Sequence, residues 1–212
     1  FGNKTFSVAG YGYKDDTDGD NATRGALRVI GGNTVTMGNG TSSSFNFNSN
    51  PVLIDVATGA TLDLQAVVGT GGNSLNKIGG GTIILGGSLQ NAFTGTVAVN
   101  EGTLRLAKTG GVNPSTIRST LTINELTSNL DTAGNATVIY DTDRDHILDS
   151  AAVVVNQDGT LDLNGATDRV GAITINGGRI INSGGLGTGH LTANSTTTAL
   201  TMTGGLLDMG AG

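Results

Sequence analysis

The sequence predicts an all-β protein, a right-handed parallel β-helix (β-solenoid) of about eight or nine coils. Three observations point there. Glycine supplies 36 of the 212 residues, while proline occurs twice and cysteine not at all. Short runs alternate apolar residues with Thr, Asp or Arg, the period-two pattern of strands that bury one face. A unit of two such runs joined by a glycine-containing turn returns along most of the chain.

The same composition excludes other classes. Glycine is not spaced every third residue, so the chain is not collagen. Apolar residues make up 36% of it, too many for a disordered segment. Glutamate occurs only at Glu101 and Glu125, and the helical spacing of a bundle is missing. Without cysteine there is neither a disulfide framework nor thiolate-bound zinc.

The chain is expected to be one domain, residues 1–212. Residues 1–25, richer in Tyr and Asp, read as an N-terminal edge or irregular coil, and residues 26–209 as the repeat coils. The first copy is 26–37, Ala-Leu-Arg-Val-Ile-Gly-Gly-Asn-Thr-Val-Thr-Met. Residues 38–51 follow as a polar excursion. Further copies lie at 52–64, 96–106, 153–163, 172–181 and 199–209. Residues 77–85 match the second half of the unit and 121–124 the first half. Residues 125–150 are the least regular and read as a loop-bearing coil.

Taking Gly32, Gly59, Gly81, Gly102, Gly159, Gly178 and Gly205 as anchors, the steps are 27, 22, 21, 57, 19 and 27. The long step should contain two or three degenerate units. One unit cannot enclose a core, but units stacked coil on coil can. Within 160–163, Leu161 and Leu163 should point inward while Thr160 and Asp162 face solvent. The rival architecture is an antiparallel meander, for which Asn176-Gly177 is a good hairpin turn. The equivalent turns Asn100-Glu101-Gly102 and Asn156-Gln157-Asp158-Gly159 differ in length, and a hairpin register depends on fixed turn length. A solenoid corner tolerates the variation. The recurring Asn100, Asn124, Asn156 and Asn176 are read as structural, hydrogen-bonding along the stack.

Residues 75–108 carry a more specific pattern. They contain Lys77-Ile-Gly-Gly-Gly-Thr-Ile-Ile-Leu85, then Asn91-Ala-Phe-Thr-Gly95, then Thr96-Val-Ala-Val-Asn-Glu-Gly-Thr-Leu104. This stretch resembles the autotransporter-associated β-strand repeat, also called the passenger-associated transport repeat. Phe93 stands where that family's pattern has Tyr, and one Thr is lost. Elsewhere the match is confined to Val-Asn-x-Gly-Thr-Leu. The resemblance implies a bacterial exported β-helical protein, of the kind found in long surface passengers that act as stalks, adhesins or scaffolds. Phe1, without a preceding Met or signal pattern, suggests a trimmed piece of a longer exported precursor.

Two acidic clusters are the candidate metal sites. Asp141, Asp143 and Asp145 alternate, and Asp149 is ninth counting from Asp141, spacings that calcium loops use to turn side chains onto one cation. His146 and Ala152 occupy the places where such a loop has Gly and Glu. Asp15, Asp16, Asp18 and Asp20 form the second cluster, with Asp16, Asp18 and Asp20 as its ligands. Solvated acidic turns are the plainer reading of both. No cofactor is required; calcium is the ion either cluster would take. His146 and His190 stand far apart, with no zinc-binding pair.

Function follows from these limits. The net charge of −6 and the absence of a basic stripe argue against nucleic-acid binding. No apolar run reaches the roughly 20 residues of a membrane helix, so direct membrane insertion is not expected. The expected role is a non-catalytic extracellular or bacterial cell-surface module: a stalk, filament subunit or adhesin shaft. Its partners would be itself, by end-to-end stacking into fibres, or other surface proteins, with glycans a further ligand class. The final coil carries no polar cap after Met209, and exposed strand edges invite pairing. The alternative is a β-helix that binds or cleaves polysaccharide. Its acidic site would lie near 140–149, with Asp141, Asp143 or Asp145 as carboxyl groups and Arg144 or Arg169 as a lyase base.

Overall fold

Each coil of the chain has three sides rather than two. The computed structural model describes residues 4–12, 14–15, 22–23, 25–38, 43–110, 115–124 and 135–210. β1 (Thr5–Val8) and an antiparallel pair, β2 (Lys14–Asp15) with β3 (Ala22–Thr23), precede the first rung. The first coil is β4 (Leu27–Val29), β5 (Thr34–Met37) and β6 (Ser44–Phe47). The second is β7 (Val52–Val56), β8 (Thr61–Leu64) and β9 (Val67–Val68). Then come β10 (Leu75–Ile78) with β11 (Thr82–Leu85), β12 (Val97–Val99) with β13 (Gly102–Leu106), and β14 (Leu121–Ile123) with β15 (Ala136–Tyr140). β16 (Val153–Asn156), β17 (Gly159–Asp162) and β18 (Thr167–Val170) form the next coil. β19 (Ile173–Ile181), β20 (His190–Ala193) and β21 (Leu200–Asp208) complete the stack.

Apart from β2 with β3, the strands pair in parallel with their equivalents one coil away. One side stacks β4, β7, β10, β12, β14, β16 and the first halves of β19 and β21. The second stacks β5, β8, β11, β13, β15, β17 and the second halves of β19 and β21. The architecture is therefore an all-β parallel β-solenoid, as expected, and it makes about seven turns rather than eight or nine. The step from Gly102 to Gly159 explains the difference. Gly102 pairs with Ala136, and Ala136 with Gly159, so that step contains one rung whose two strands are separated by residues 124–135.

The register corrects two anchors. Thr34, Thr61, Thr82, Thr103, Thr137 and Thr160 stack in one outward column. The residues preceding them are Asn33, Ala60, Gly81, Gly102, Ala136 and Gly159, so Gly32 and Gly59 lie one position off the column. Crowding dictates glycine at Gly81, where a Cβ would run into the carbonyls of Ala57 and Ala60.

The core is a set of columns rather than a single cluster. Val35, Leu62, Ile83, Leu104, Val138, Leu161, Ile180 and Leu207 lie in register along the second side. Their middle members are fully buried, each worth about 1.5–3 kcal/mol of transfer free energy. Leu161 and Leu163 point inward as expected. Asp162 does not face solvent: it is buried, and its Oδ1 accepts from the amides of Asn164 (2.8 Å) and Ser183 (3.0 Å), tying two coils at the corner.

Residues 38–51 are also more than an excursion. Within them β6 is the third side of its coil, with Phe45 and Phe47 buried and 6.1 Å apart edge to face. Phe47 packs on Phe93, centroids 5.6 Å apart. Where the third side lacks a strand, the Asn91 side chain replaces the ladder. Its Oδ1 accepts from Val68 N (3.1 Å) and its Nδ2 donates to Thr116 O (2.9 Å). Of the four recurring asparagines, Asn124, Asn156 and Asn176 hydrogen-bond along the corners as read from the sequence, while the Asn100 side-chain amide nitrogen does not join them. Asn176 Nδ2 donates to Asn156 Oδ1 (3.1 Å), Asn156 Nδ2 to Asn124 O (2.9 Å), and Asn124 Nδ2 to Gln157 O.

Candidate functional site

The titratable residues that the coils bring together lie at the corner after β15 and inside the solenoid beneath it. Tyr140 occupies the inward column of Leu64, Leu85 and Leu106. It is fully buried, so its hydroxyl needs a partner, and it donates to Asp168 Oδ2 at 2.7 Å. Asp168 is on β18, where alternation turns Asp168 and Val170 inward. The same Oδ2 accepts from the amides of His146 (3.1 Å) and Ile147 (3.0 Å), and Oδ1 from Arg169 N (2.7 Å). Burial raises the Asp168 carboxyl to about 8, and the neighbouring Asp145 carboxyl pushes the same way, against the hydrogen bonds from Tyr140 and Ile147. Burial and the carboxylate beside it also raise Tyr140 above the usual phenol range, so it remains a donor.

His146 completes the cluster. Its ring lies 5.5 Å from that of Tyr140, edge to face. Nδ1 is 2.7 Å from Thr116 Oγ1 and Nε2 is 2.8 Å from Thr142 Oγ1, so a neutral ring with one N–H serves both hydroxyls. Burial holds it down to about 4.

The four aspartates of the first candidate metal cluster are dispersed among protein partners. Asp141 takes a bidentate pair from Arg105, with both N···O distances 2.6 Å. Asp143 Oδ1 accepts from Thr167 N at 2.8 Å. Asp145 faces Asp168, and Asp149 sits half-buried two residues past the Ile117–Ile147 bridge. Among the described residues, no three of His, Asp and Glu are grouped so as to hold a metal ion. Asp16, Asp18 and Asp20 of the second cluster lie outside the described residues. Arg144 and Arg169, the candidate lyase bases, are exposed, as is His190.

Two lysines to which the sequence reading gave no interior role lie wholly inside. Lys77 interrupts an aliphatic column, between Ile54 and Val99. Its Nζ donates to the carbonyls of Gly79 (2.8 Å) and Glu101 (2.7 Å), and burial lowers it to about 7 against the pull of Glu101 and Asp55. Lys108 Nζ donates to Ala66 O at 2.8 Å, two coils away, and burial lowers it to about 8. For Lys77 the available signal was its place in an alternating run, Leu75-Asn-Lys-Ile, two residues after an inward Leu. For Asp168 it was the spacing Ala166, Asp168, Val170. In both cases residue type outweighed position in the reading.

On the outer surface, Asn135, Thr137, Asp158, Thr160 and Arg179 line a groove of about 320 Å³. It crosses three coils at the corner leading into the second side and offers amide, hydroxyl, carboxylate and guanidinium groups. Chemically, then, the interior cluster can hold and exchange a proton, while the groove can hydrogen-bond a polar ligand. Comparison of the chain with protein-family models, with curated proteins and with solved structures finds no match.

Proposed function

We propose that the protein is a non-catalytic structural module of the bacterial cell surface or extracellular space, a β-solenoid shaft that stacks end to end through its terminal rungs. The observation that carries this reading is the condition of the last rung. Leu200, Met202 and Leu207 of β21 are 42–45% exposed, although they continue the columns that are closed elsewhere. At the opposite end Val35 of β5 is exposed as well, and it belongs to the same column as Leu207. A second copy placed head to tail would set Leu207 against Val35 in the register every internal coil already uses. The strand edges would gain parallel partners at the same time. The resemblance of residues 75–108 to the autotransporter-associated repeat supports the surface location. No metal or cofactor enters this reading, and calcium at Asp16, Asp18 and Asp20 would serve only to neutralise that acidic stretch of sequence.

Sedimentation over a hundredfold concentration range, with electron microscopy of the same samples, tests the proposal. Concentration-dependent rods that Leu207→Asp reduces to monomers are expected. Monomers of the unaltered protein at the highest concentration would overturn it.

A second reading, glycan binding, is favoured by the outer groove rather than by residues 140–149. Thr137, Thr160, Asn135 and Arg179 offer donors and acceptors to sugar hydroxyls. Binding on a polysaccharide panel that Arg179→Ala abolishes would support it. Uniform silence would leave the shaft alone.

A further inference from the structure

We infer that the outer groove is a binding site for carboxylated sugars, with Arg179 holding the carboxylate and Asn135, Thr137, Asp158 and Thr160 holding the hydroxyls. The inference rests on the glycan-binding reading above and names the class of glycan.

The groove follows from a mismatch between two corners. Three residues separate Asn156 from Thr160, but only two separate Asn176 from Arg179 on the next coil. The ladder absorbs the difference in a bulge, where Asn156 pairs with both Asn176 and Gly177. Asp158 is exposed on the longer corner, in the left-handed region at φ 64°. On the shorter corner Gly177 has φ +84°, which reserves the position for glycine and leaves the step unfilled. Thr137, Thr160 and Arg179 share one outward column, so they follow one another at the coil spacing of about 4.8 Å. The recess of about 320 Å³ is near the lower end of the roughly 300–1,000 Å³ of small-molecule sites. It suits a short stretch of glycan rather than a bulky ligand.

Two observations point to the ligand. The first is that the polar groups here are not committed to the fold. On the neighbouring corners Asn124, Asn156 and Asn176 bond along the stack, Asp162 takes two amides, and Arg105 is paired with Asp141. Among the described residues, by contrast, the side chains of Asn135, Thr137, Asp158, Thr160 and Arg179 have no hydrogen-bond or ion-pair partner. Asp158 and Arg179 line one groove with opposite charges and still do not pair. The second observation is that no aromatic ring lines the groove.

A neutral sugar would therefore find hydroxyl and amide partners for which water competes, and no ring to lie against. A carboxylate on the sugar changes the balance. The Arg179 guanidinium can meet it with two parallel N–H···O bonds, which are charge-assisted and fix its orientation. The sugar hydroxyls then donate to Asp158 and exchange hydrogen bonds with the Asn135 amide and the two threonine hydroxyls. Asp158 only accepts, and its charge repels a second anion. The groove is thus matched to sparsely charged, carboxylated chains and set against densely sulfated ones.

The test titrates the intact protein with a galacturonate trisaccharide, the neutral galactose trisaccharide of the same linkage, and sodium acetate at matched ionic strength. Nitrogen-15 amide shifts locate binding and calorimetry measures it. The uronate should move the amides of 135–137, 158–160 and 177–179 and bind about tenfold tighter than its neutral counterpart. That advantage should shrink as salt is raised. Arg179→Gln should reduce the uronate to the neutral level, while Arg179→Lys, which keeps the charge and loses the fork, should retain part of the advantage. Arg179 is exposed, so both variants should melt as the wild type does. Equal binding of the two trisaccharides, or uronate binding unchanged by Arg179→Gln, would overturn the carboxylate assignment while leaving glycan binding in place. Acetate binding as tightly as the uronate would overturn it as well, because charge alone would then be recognised. Groove amides that neither trisaccharide moves would overturn both the inference and the reading on which it rests.

Discussion

Tyr140 and Asp168, 28 positions apart, meet inside the solenoid at 2.7 Å, phenol to carboxyl. The bond joins the second side of one coil to the third side of the next. It places a hydrogen-bonded polar pair in columns that are otherwise leucine, isoleucine and valine.

Replacing Tyr140 with Phe keeps the ring and removes the donor. The cost should be about 1–2 kcal/mol in denaturant unfolding at pH 6, a hydrogen bond lost from a buried acceptor that keeps its backbone donors. Because that hydrogen bond lowers the Asp168 value, Tyr140→Phe should also raise the Asp168 midpoint in a carbon-13 titration.

Lys77 gives an effect of opposite sign. Burial lowers it from 10.5 to about 7, so its contribution to stability is present above about pH 10.5 and is lost as pH falls through 7. Lys77→Met fills the same column without a charge. It should exceed the wild type by about 1–3 kcal/mol at pH 6, with the advantage shrinking toward pH 10. Guanidinium melts at the two pH values measure this directly. An advantage that grows with pH would contradict the assignment.

His146 governs the acid side. Held at about 4 against an ordinary 6.5, it contributes stability that is present above pH 6.5 and is lost as pH falls through 4. His146→Gln should therefore cost about 1 kcal/mol at pH 7, through imperfect bonding to Thr116 and Thr142, and yet lose less on acidification. Asp168 acts oppositely in this interval and is common to both proteins. The wild-type-minus-variant difference from thermal melts at pH 4, 5, 6 and 7 isolates the histidine.

Position along the stack should set the cost of a cavity. Leu104 and Leu207 share one column, but Leu104 is fully buried while Leu207 is 42% exposed. Leu104→Ala should cost about 2–5 kcal/mol. Leu207→Ala should cost less than about 1 kcal/mol. Chemical unfolding of both variants under the same dilute conditions checks the ratio.

The alternation of Val-Ala-Val-Asn or Gly-Thr-Leu-Arg-Leu, the glycine turns and the asparagines were enough to read strands, corners and a parallel stack from the sequence. Each of these is local: a period of two decides which side chains share a face, and a turn residue decides where the chain bends. Coil-to-coil register is not local. It placed Asn33 and Ala60, not Gly32 and Gly59, beside Gly81. It made Ser44–Phe47 a third side, and it left one rung where the long step suggested more. The same registry took Asp141 to Arg105 and Asp143 to Thr167, and it set Asp168 against Tyr140 and Asp145. A carboxylate in a sequence reads as solvent-facing until the strand carrying it is known to turn it inward. That knowledge depends on partners one coil away, so the tertiary structure alone decided where the buried charges lie.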